Sequence, residues 1–186
     1  MSDRRTPSFD EFDDYQDEAY FDSRPGKARP SFDARLLREP ATRLPARKPL
    51  LFARHSSVTD AVRAMQGEHR GAVLVTEDGT TATKVIGIFT ERDVLFRIVD
   101  GGRNPAVLGI AEVMTADPEV LQDDQSIAEA LNLMSVGGFR HVPVVDSEGR
   151  PVFVLSVRDV VQFLVEAFPR EILNLGGGSQ REREGG

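Results

Sequence analysis

Apolar positions along this chain follow two periods in turn. Val58, Ala61, Val62 and Met65 recur at i, i+3, i+4 and i+7, which is one face of a helix. The flanking runs Leu50-Leu51-Phe52-Ala53 and Ala72-Val73-Leu74-Val75 are short and unbroken, as buried strands are. Glu77-Asp78-Gly79-Thr80 then supplies a turn, and its Asp-Gly favours a hairpin into Lys84–Phe89. The strand Val85–Phe89 passes without a loop into Thr90-Glu91-Arg92-Asp93. An apolar-periodic helix follows, carrying Val94, Leu95, Ile98 and Val99, and Gly101-Gly102 stops it.

The same order then starts again. Pro118-Glu119-Val120-Leu121 matches Pro49-Leu50-Leu51-Phe52 at an offset of 69 residues, and Ile127, Ala130, Leu131 and Met134 match the first helix face at that offset. Val142-Pro143-Val144-Val145 aligns with the first buried strand at 70, and Phe153 to Val165 aligns with Gly87 to Val99 at 66. On this alignment Thr80–Thr83 lengthens the first hairpin by four residues. The expectation is an α/β fold of two β-α-β-β-α repeats packed pseudo-symmetrically, because either unit alone buries too little surface. Repeat 1 is placed at residues 49–103, a linker at 104–112 and repeat 2 at 113–168. Apolar faces left over on a body of this size predict a homodimer.

Composition changes the picture mainly at the ends. Residues 10–22 carry seven acids and no base, and residues 23–48 carry eight bases, two acids and four prolines. Such blocks offer little apolar surface to offset ordering entropy, so residues 1–48 are expected to be a disordered charged arm. Phe9, Phe12, Tyr15, Tyr20 and Phe21 interrupt the acids, so residues 9–48 are either a docking segment for a protein partner or a solubilising tail. Residues 169–186 read as a disordered tail. The net charge of −7 argues against nucleic acid as a partner of the whole chain. The absence of cysteine excludes disulfides and thiolate chemistry, and no apolar run suits a membrane span or a secretory leader. The expected location is cytoplasmic. No nucleophile-base arrangement, P-loop or metal-binding spacing is present, so no enzyme activity, metal or obligatory cofactor is expected.

Gly87-Ile88-Phe89-Thr90-Glu91-Arg92-Asp93 resembles the motif G-h-h-[ST]-x-x-[DN] that closes each repeat of the CBS-domain family. The second copy keeps Ser156 and Asp159 but has Phe153 where the family has glycine. Val113-Met114-Thr115-Ala116-Asp117-Pro118 resembles the family's opening of a second repeat, and Arg140 to Asp146 its central strand. Residues 49–168 thus resemble a tandem CBS pair, or Bateman module. The resemblance implies a regulatory module that binds adenosine-containing ligands such as AMP, ATP or S-adenosylmethionine in clefts between the repeats, and that signals to a partner. It implies that the motif aspartate takes the ribose hydroxyls while the Ser/Thr and helix start face phosphate. The alternative is a scaffold of the same fold that has lost its ligand and works through the arm.

The residues suit that chemistry. Ionised Asp93 and Asp159 are pure acceptors, able to take both hydroxyls of a ribose diol. Thr90 and Ser156 stand at helix starts, where unpaired N–H groups and the positive dipole end attract phosphate. Arg92, Arg158, Arg70 and Arg140 can add guanidinium contacts, and His141 can stack on or bond a nucleotide, or simply be half buried. The same spacing also describes a capping box, at Ser57/Asp60, Thr90/Asp93, Ser126/Glu129 and Ser156/Asp159, so capping alone accounts for it. His55 and His69 read as surface or capping residues. Glycine at 87 and bulk at Phe153 lead to the expectation that the Asp93 site binds more tightly than the Asp159 site.

Overall fold

The computed structural model describes residues 35–168. The expectations for residues 1–34, including most of the docking segment, and for residues 169–186 lie outside the described residues. Repeat 1 comprises β1 (Leu51–Ala53), α1 (Val58–Gly67), β2 (Ala72–Thr76), β3 (Val85–Thr90) and α2 (Glu91–Asp93), which continues as a π-helical turn over Val94–Val99. Then come β4 (Thr115–Ala116), β5 (Leu121–Gln122), α3 (Ile127–Gly137), β6 (His141–Val145), β7 (Pro151–Ser156) and α4 (Val157–Ala167). Two sheets result, ordered β1-β2-β3-β4 and β5-β6-β7. In each, the first strand pairs parallel with the second, which pairs antiparallel with the third. The two-repeat α/β architecture read from the sequence is therefore present.

The register differs from the sequence alignment by one residue. Ala72 pairs with Thr90 and His141 pairs with Ser156, so the central strands correspond at an offset of 69, not 70. Both hairpins shift register at the same place, after Val75 and after Val144. The first hairpin is longer by three residues, not four. Both strands are buried along nearly their whole length, so no inside-outside alternation was available to fix their phase.

The larger correction concerns the arm. Residues 36–48 are part of the fold, and they repeat residues 105–117. Turns of 3-10 helix occupy Leu36–Arg38 and Ala41–Arg43, and their counterparts are Pro105–Val107 and Ile110–Glu112. Ala41 N–H donates to the Gln125 carbonyl at 2.8 Å, and Ile127 N–H to that of Glu39 at 2.8 Å. The counterpart bonds run from Ile110 to Ser56, at 2.9 Å, and from Val58 to Leu108, at 3.0 Å. Each repeat's lead-in thus binds the other repeat. Ala41 and Leu44 are buried in the repeat 2 core with Leu121, Ile127 and Leu155, while Ile110 and Val113 are buried in the repeat 1 core with Val58, Val73 and Phe89. Further along, Thr115–Ala116 pairs with β3, and Arg47 bridges to Val154 of β7. Burying a side chain such as Leu44 stabilises by about 1.5–3 kcal/mol, enough to hold a segment that charge and proline made look unstructured. A third buried apolar cluster, Ala72, Leu74, Ile88 and Val154, draws on both repeats.

Candidate functional site

The two strand-helix junctions share one local geometry. Thr90 accepts from the Asp93 N–H, and Asp93 Oδ2 accepts from the Thr90 N–H at 2.8 Å and its hydroxyl at 2.7 Å. Ser156 and Asp159 reproduce these bonds at 2.7 and 2.6 Å. Both are complete capping boxes, as is Ser126/Glu129, while Ser57/Asp60 caps through its side chain alone. The cap uses one carboxylate oxygen and leaves the other available.

What meets the second oxygen separates the junctions. Asp93 is 8% exposed, and its Oδ1 lies 3.3 Å from Arg97 Nε. The Arg97 guanidinium also donates to the Val113 carbonyl at 3.0 Å, the Met114 carbonyl and the Thr115 hydroxyl at 3.2 Å. Met114 lies over Gly87 so closely that a Cβ there would collide with its Sδ. Glycine at 87 therefore makes room for a methionine of the chain itself. In repeat 2 the sequence counterparts of Arg97, Met114 and Gly87 are Phe163, Pro45 and Phe153. Phe153 is buried in the repeat 2 core, and Phe163 packs against that core. Asp159 Oδ1 has no hydrogen-bond or ion-pair partner among the described residues.

Asp159 opens into a cleft of about 300 Å³ between the repeats. Repeat 2 contributes Ser156, Arg158, Arg140 and His141, repeat 1 contributes Arg70, Gly71 and Glu91, and the lead-in contributes Arg47. Arg70 is anchored by donating to the Lys48 carbonyl at 2.7 Å. Burial, and then the neighbouring Arg47, lower its hold on its proton. The His141 ring fills the space above Gly71, where a Cβ would lie 2.7 Å from its Cε1 and 3.3 Å from Glu91 Oε2. Burial pushes the His141 imidazole below its ordinary pKa. Glu91 and Asp159 oppose that shift, and Arg70 and Arg140 add to it. Arg47, Arg140 and Arg158 form no ion pair among the described residues.

Of the nine expected site residues, Arg70, Arg140, His141, Ser156, Arg158 and Asp159 line this one cleft. Thr90, Arg92 and Asp93 do not line it. The aspartate with an unpartnered oxygen is thus that of repeat 2, and on the Asp93 side, expected to be the tighter, Arg97 pairs with the second oxygen and Met114 packs on Gly87. Arg47, Glu91 and His69 also line the cleft and were missed. His69 ends α1 in the left-handed conformation, φ 51°, which places it at the rim. Among the described residues no group of three or more His, Cys, Asp or Glu is placed to hold a metal ion, and no helix is long and apolar enough to cross a membrane.

Comparison with known proteins agrees with this architecture. The CBS domain family model matches residues 41–100 and 110–166. The first match begins at Ala41, inside the lead-in. A CBS domain-containing protein of Arabidopsis thaliana is 37% identical over 108 residues, which are 58% of this chain and 19% of that protein. An uncharacterized protein of Methanopyrus kandleri is 31% identical over 90 residues, 47% of this chain and 46% of that one. The chain thus spans less than half the length of these relatives. Among solved structures, a putative signal-transduction protein with CBS domains from Burkholderia ambifaria superposes with a TM-score of 0.58 at 29% identity, covering 65% of this chain and 85% of that one. A CBS domain protein from Pyrobaculum aerophilum complexed with AMP shares the fold, with a TM-score of 0.60 at 22% identity over 68% of this chain and 96% of that one.

Proposed function

This chain belongs to the CBS domain family, and we propose that it is a regulatory module whose working site is the Asp159 cleft, occupied by an adenosine nucleotide. The observation that carries this reading is the open Asp159 oxygen facing a cleft lined by arginines. Asp159 Oδ2 holds the helix cap, and Oδ1 accepts the ribose hydroxyls. The positive end of α4, an 11-residue helix, receives phosphate together with Arg158. Asp93 holds its own cap and Arg97, and serves the fold. One nucleotide binds per chain.

Both repeats, the lead-in of repeat 1 and the junction at α4 meet at this cleft, so a ligand there favours one arrangement of the pair over another. That differential affinity is what signals to a partner. Leu95, Phe96 and Val99 after Asp93, and Val157 and Val161 on α4, are exposed apolar residues that a second copy of the chain would cover in a homodimer. The test of the function is a thermal-shift and calorimetric titration against adenosine-containing ligands. At 1 mM ligand and a dissociation constant of 10 μM, binding adds about 2.7 kcal/mol of stability. No shift with any adenosine ligand would leave the capping boxes as structure alone and the fold as a scaffold.

A further inference from the structure

We propose that a nucleotide in the Asp159 cleft fastens the lead-in of repeat 1, as the Arg97 guanidinium fastens the lead-in of repeat 2, so that occupancy is read out at the N-terminal segment. This rests on the cleft being a nucleotide site. Apolar burial holds both lead-ins. Leu108, Ile110 and Val113 are buried in the repeat 1 core, while Ala41 and Leu44 are buried in the repeat 2 core, with Leu37 and Ala46 packed against it. The polar contacts are where the two differ. On one side the Arg97 guanidinium spans from Asp93 Oδ1 to the Val113 and Met114 carbonyls and the Thr115 hydroxyl. Thr115 and Ala116 also pair with Ile88 and Gly87, and the Asp117 N–H donates to the Ile86 carbonyl at 3.1 Å.

Residues 36–48 lack this fastening. The position of Arg97 is taken by Phe163, which packs against the repeat 2 core. Leu44, Pro45 and Ala46 stand where Val113, Met114 and Thr115 stand, and among the described residues no side chain hydrogen-bonds them. The strand pairing shrinks to one bridge between Arg47 and Val154, and beyond it Arg70 donates to the Lys48 carbonyl at 2.7 Å. The aspartate oxygen that would anchor a clasp, Asp159 Oδ1, has no hydrogen-bond or ion-pair partner among the described residues, and Pro45 and Arg47 line the cleft it opens into. A nucleotide whose ribose hydroxyls donate to Asp159 and whose phosphate meets the Arg47 guanidinium spans the same interval as Arg97. Opening of the lead-in takes Pro45 and Arg47 out of the cleft. A ligand that touches them therefore binds the fastened state better and shifts that local equilibrium. The chain before residue 36 joins the pair through this segment, so the ligand controls where the N-terminal arm begins.

The experiment is hydrogen-exchange mass spectrometry of the full chain, first unliganded and then with AMP, ATP and S-adenosylmethionine in turn, each brought to saturation by calorimetry. The counterpart lead-in is the internal control. Without ligand, residues 41–47 should be protected about tenfold less than residues 110–116. A bound ligand should slow exchange at 41–47 about tenfold or more and change 110–116 by about twofold or less. Equal slowing of both lead-ins, as general stabilisation would give, overturns the proposal, and so does unchanged exchange at 41–47 with ligand bound. In both cases the nucleotide site stands. Arg97→Ala, read without ligand, should speed exchange at 110–116 about tenfold. Unchanged exchange there would show that a group bridging the aspartate and the lead-in fastens nothing, which also overturns the proposal. Failure of all three ligands to bind in calorimetry would remove the site and the fastening together.

Discussion

At Asp93 the second carboxylate oxygen meets Arg97 at 3.3 Å, and at Asp159 the equivalent oxygen has no hydrogen-bond or ion-pair partner among the described residues. The two junctions share the capping box and the following arginine, with Ser156 in place of Thr90 and Val157 in place of Glu91. The contrast comes from outside the motif. Over the first junction stand Met114 and the Arg97 guanidinium, which clasps Val113–Thr115. Beside the second stands Arg47, from the lead-in of repeat 1, and the counterpart of Arg47 over the first junction is Ala116. A capping box thus supplies an acceptor, and the opposing segment decides whether that acceptor is spent on the chain itself. The glycine of the motif follows the same logic. At 87 it accommodates Met114, and at 153 a phenylalanine takes its place and enters the core.

That contrast can be broken most forcefully at position 153. Phe153 is 8% exposed within the repeat 2 core, so Phe153→Ala should destabilise the protein by about 3–5 kcal/mol in chemical denaturation. Gly87→Ala forces Met114 to move and should cost about 1–3 kcal/mol. A mild effect at 153 would mean that its ring is not part of the core. Next comes the pair Asp159→Asn and Asp93→Asn, read by nucleotide calorimetry. Losing a charge-assisted acceptor worth about 1.5–3 kcal/mol should weaken binding roughly tenfold to a hundredfold at 159, with little change at 93. The reverse order would move the site to repeat 1. A third test removes the clasp: the double variant Arg97→Ala, Met114→Ala frees Asp93, and nucleotide stoichiometry should rise from one toward two per chain. A stoichiometry that stays at one would mean the first junction is closed by something other than these two side chains.

The smallest expected effect is on pH dependence and concerns His141. Its folded-state pKa lies below the ordinary value, so below about pH 6.5 the unfolded chain binds more protons than the folded one. Stability should therefore be lost as pH falls from that value through the folded pKa. The melting temperature of the unliganded protein should drop more between pH 7 and pH 5 than that of His141→Gln. Equal drops would show that His141 is as easily charged in the fold as outside it.

How much of this could be read from residues alone depended on what each pattern constrains. Helices α1 and α3 were legible because caps and a 3.6-residue period mark their starts and their buried faces, as at Ser126 to Met134. The periodic segment after Asp93, in contrast, is a π-helical turn that buries Ile98 and leaves Leu95 and Val99 exposed. The central strands were found, but their phase was not, since continuous burial over Ala72–Thr76 carries no alternation. Residues 36–48 were misread because Ala41 and Leu44 bury against Leu121 and Ile127, far away in sequence, while their own neighbourhood is charged and proline-rich. Arg47 was hidden by the same error. The capping boxes showed where two acceptors would lie. Which acceptor stays open is set by Arg97 and Met114, whose contacts are tertiary and leave no local signature.

The exchange of lead-ins has a consequence for synthesis from the N-terminus. Repeat 1 cannot close its core as it emerges, because Ile110 and Val113 have yet to be made. Residues 36–48 emerge ahead of both repeats and wait longest, since Ala41 bonds to Gln125 and Leu44 is buried in one core with Leu121 and Leu155. Neither half is thus a finished object on the ribosome. Contacts so far apart in sequence slow folding, and the interval leaves apolar surface uncovered. The charge carried by the early segment, against no acquired structure, keeps that waiting stretch in water until its distant partner arrives.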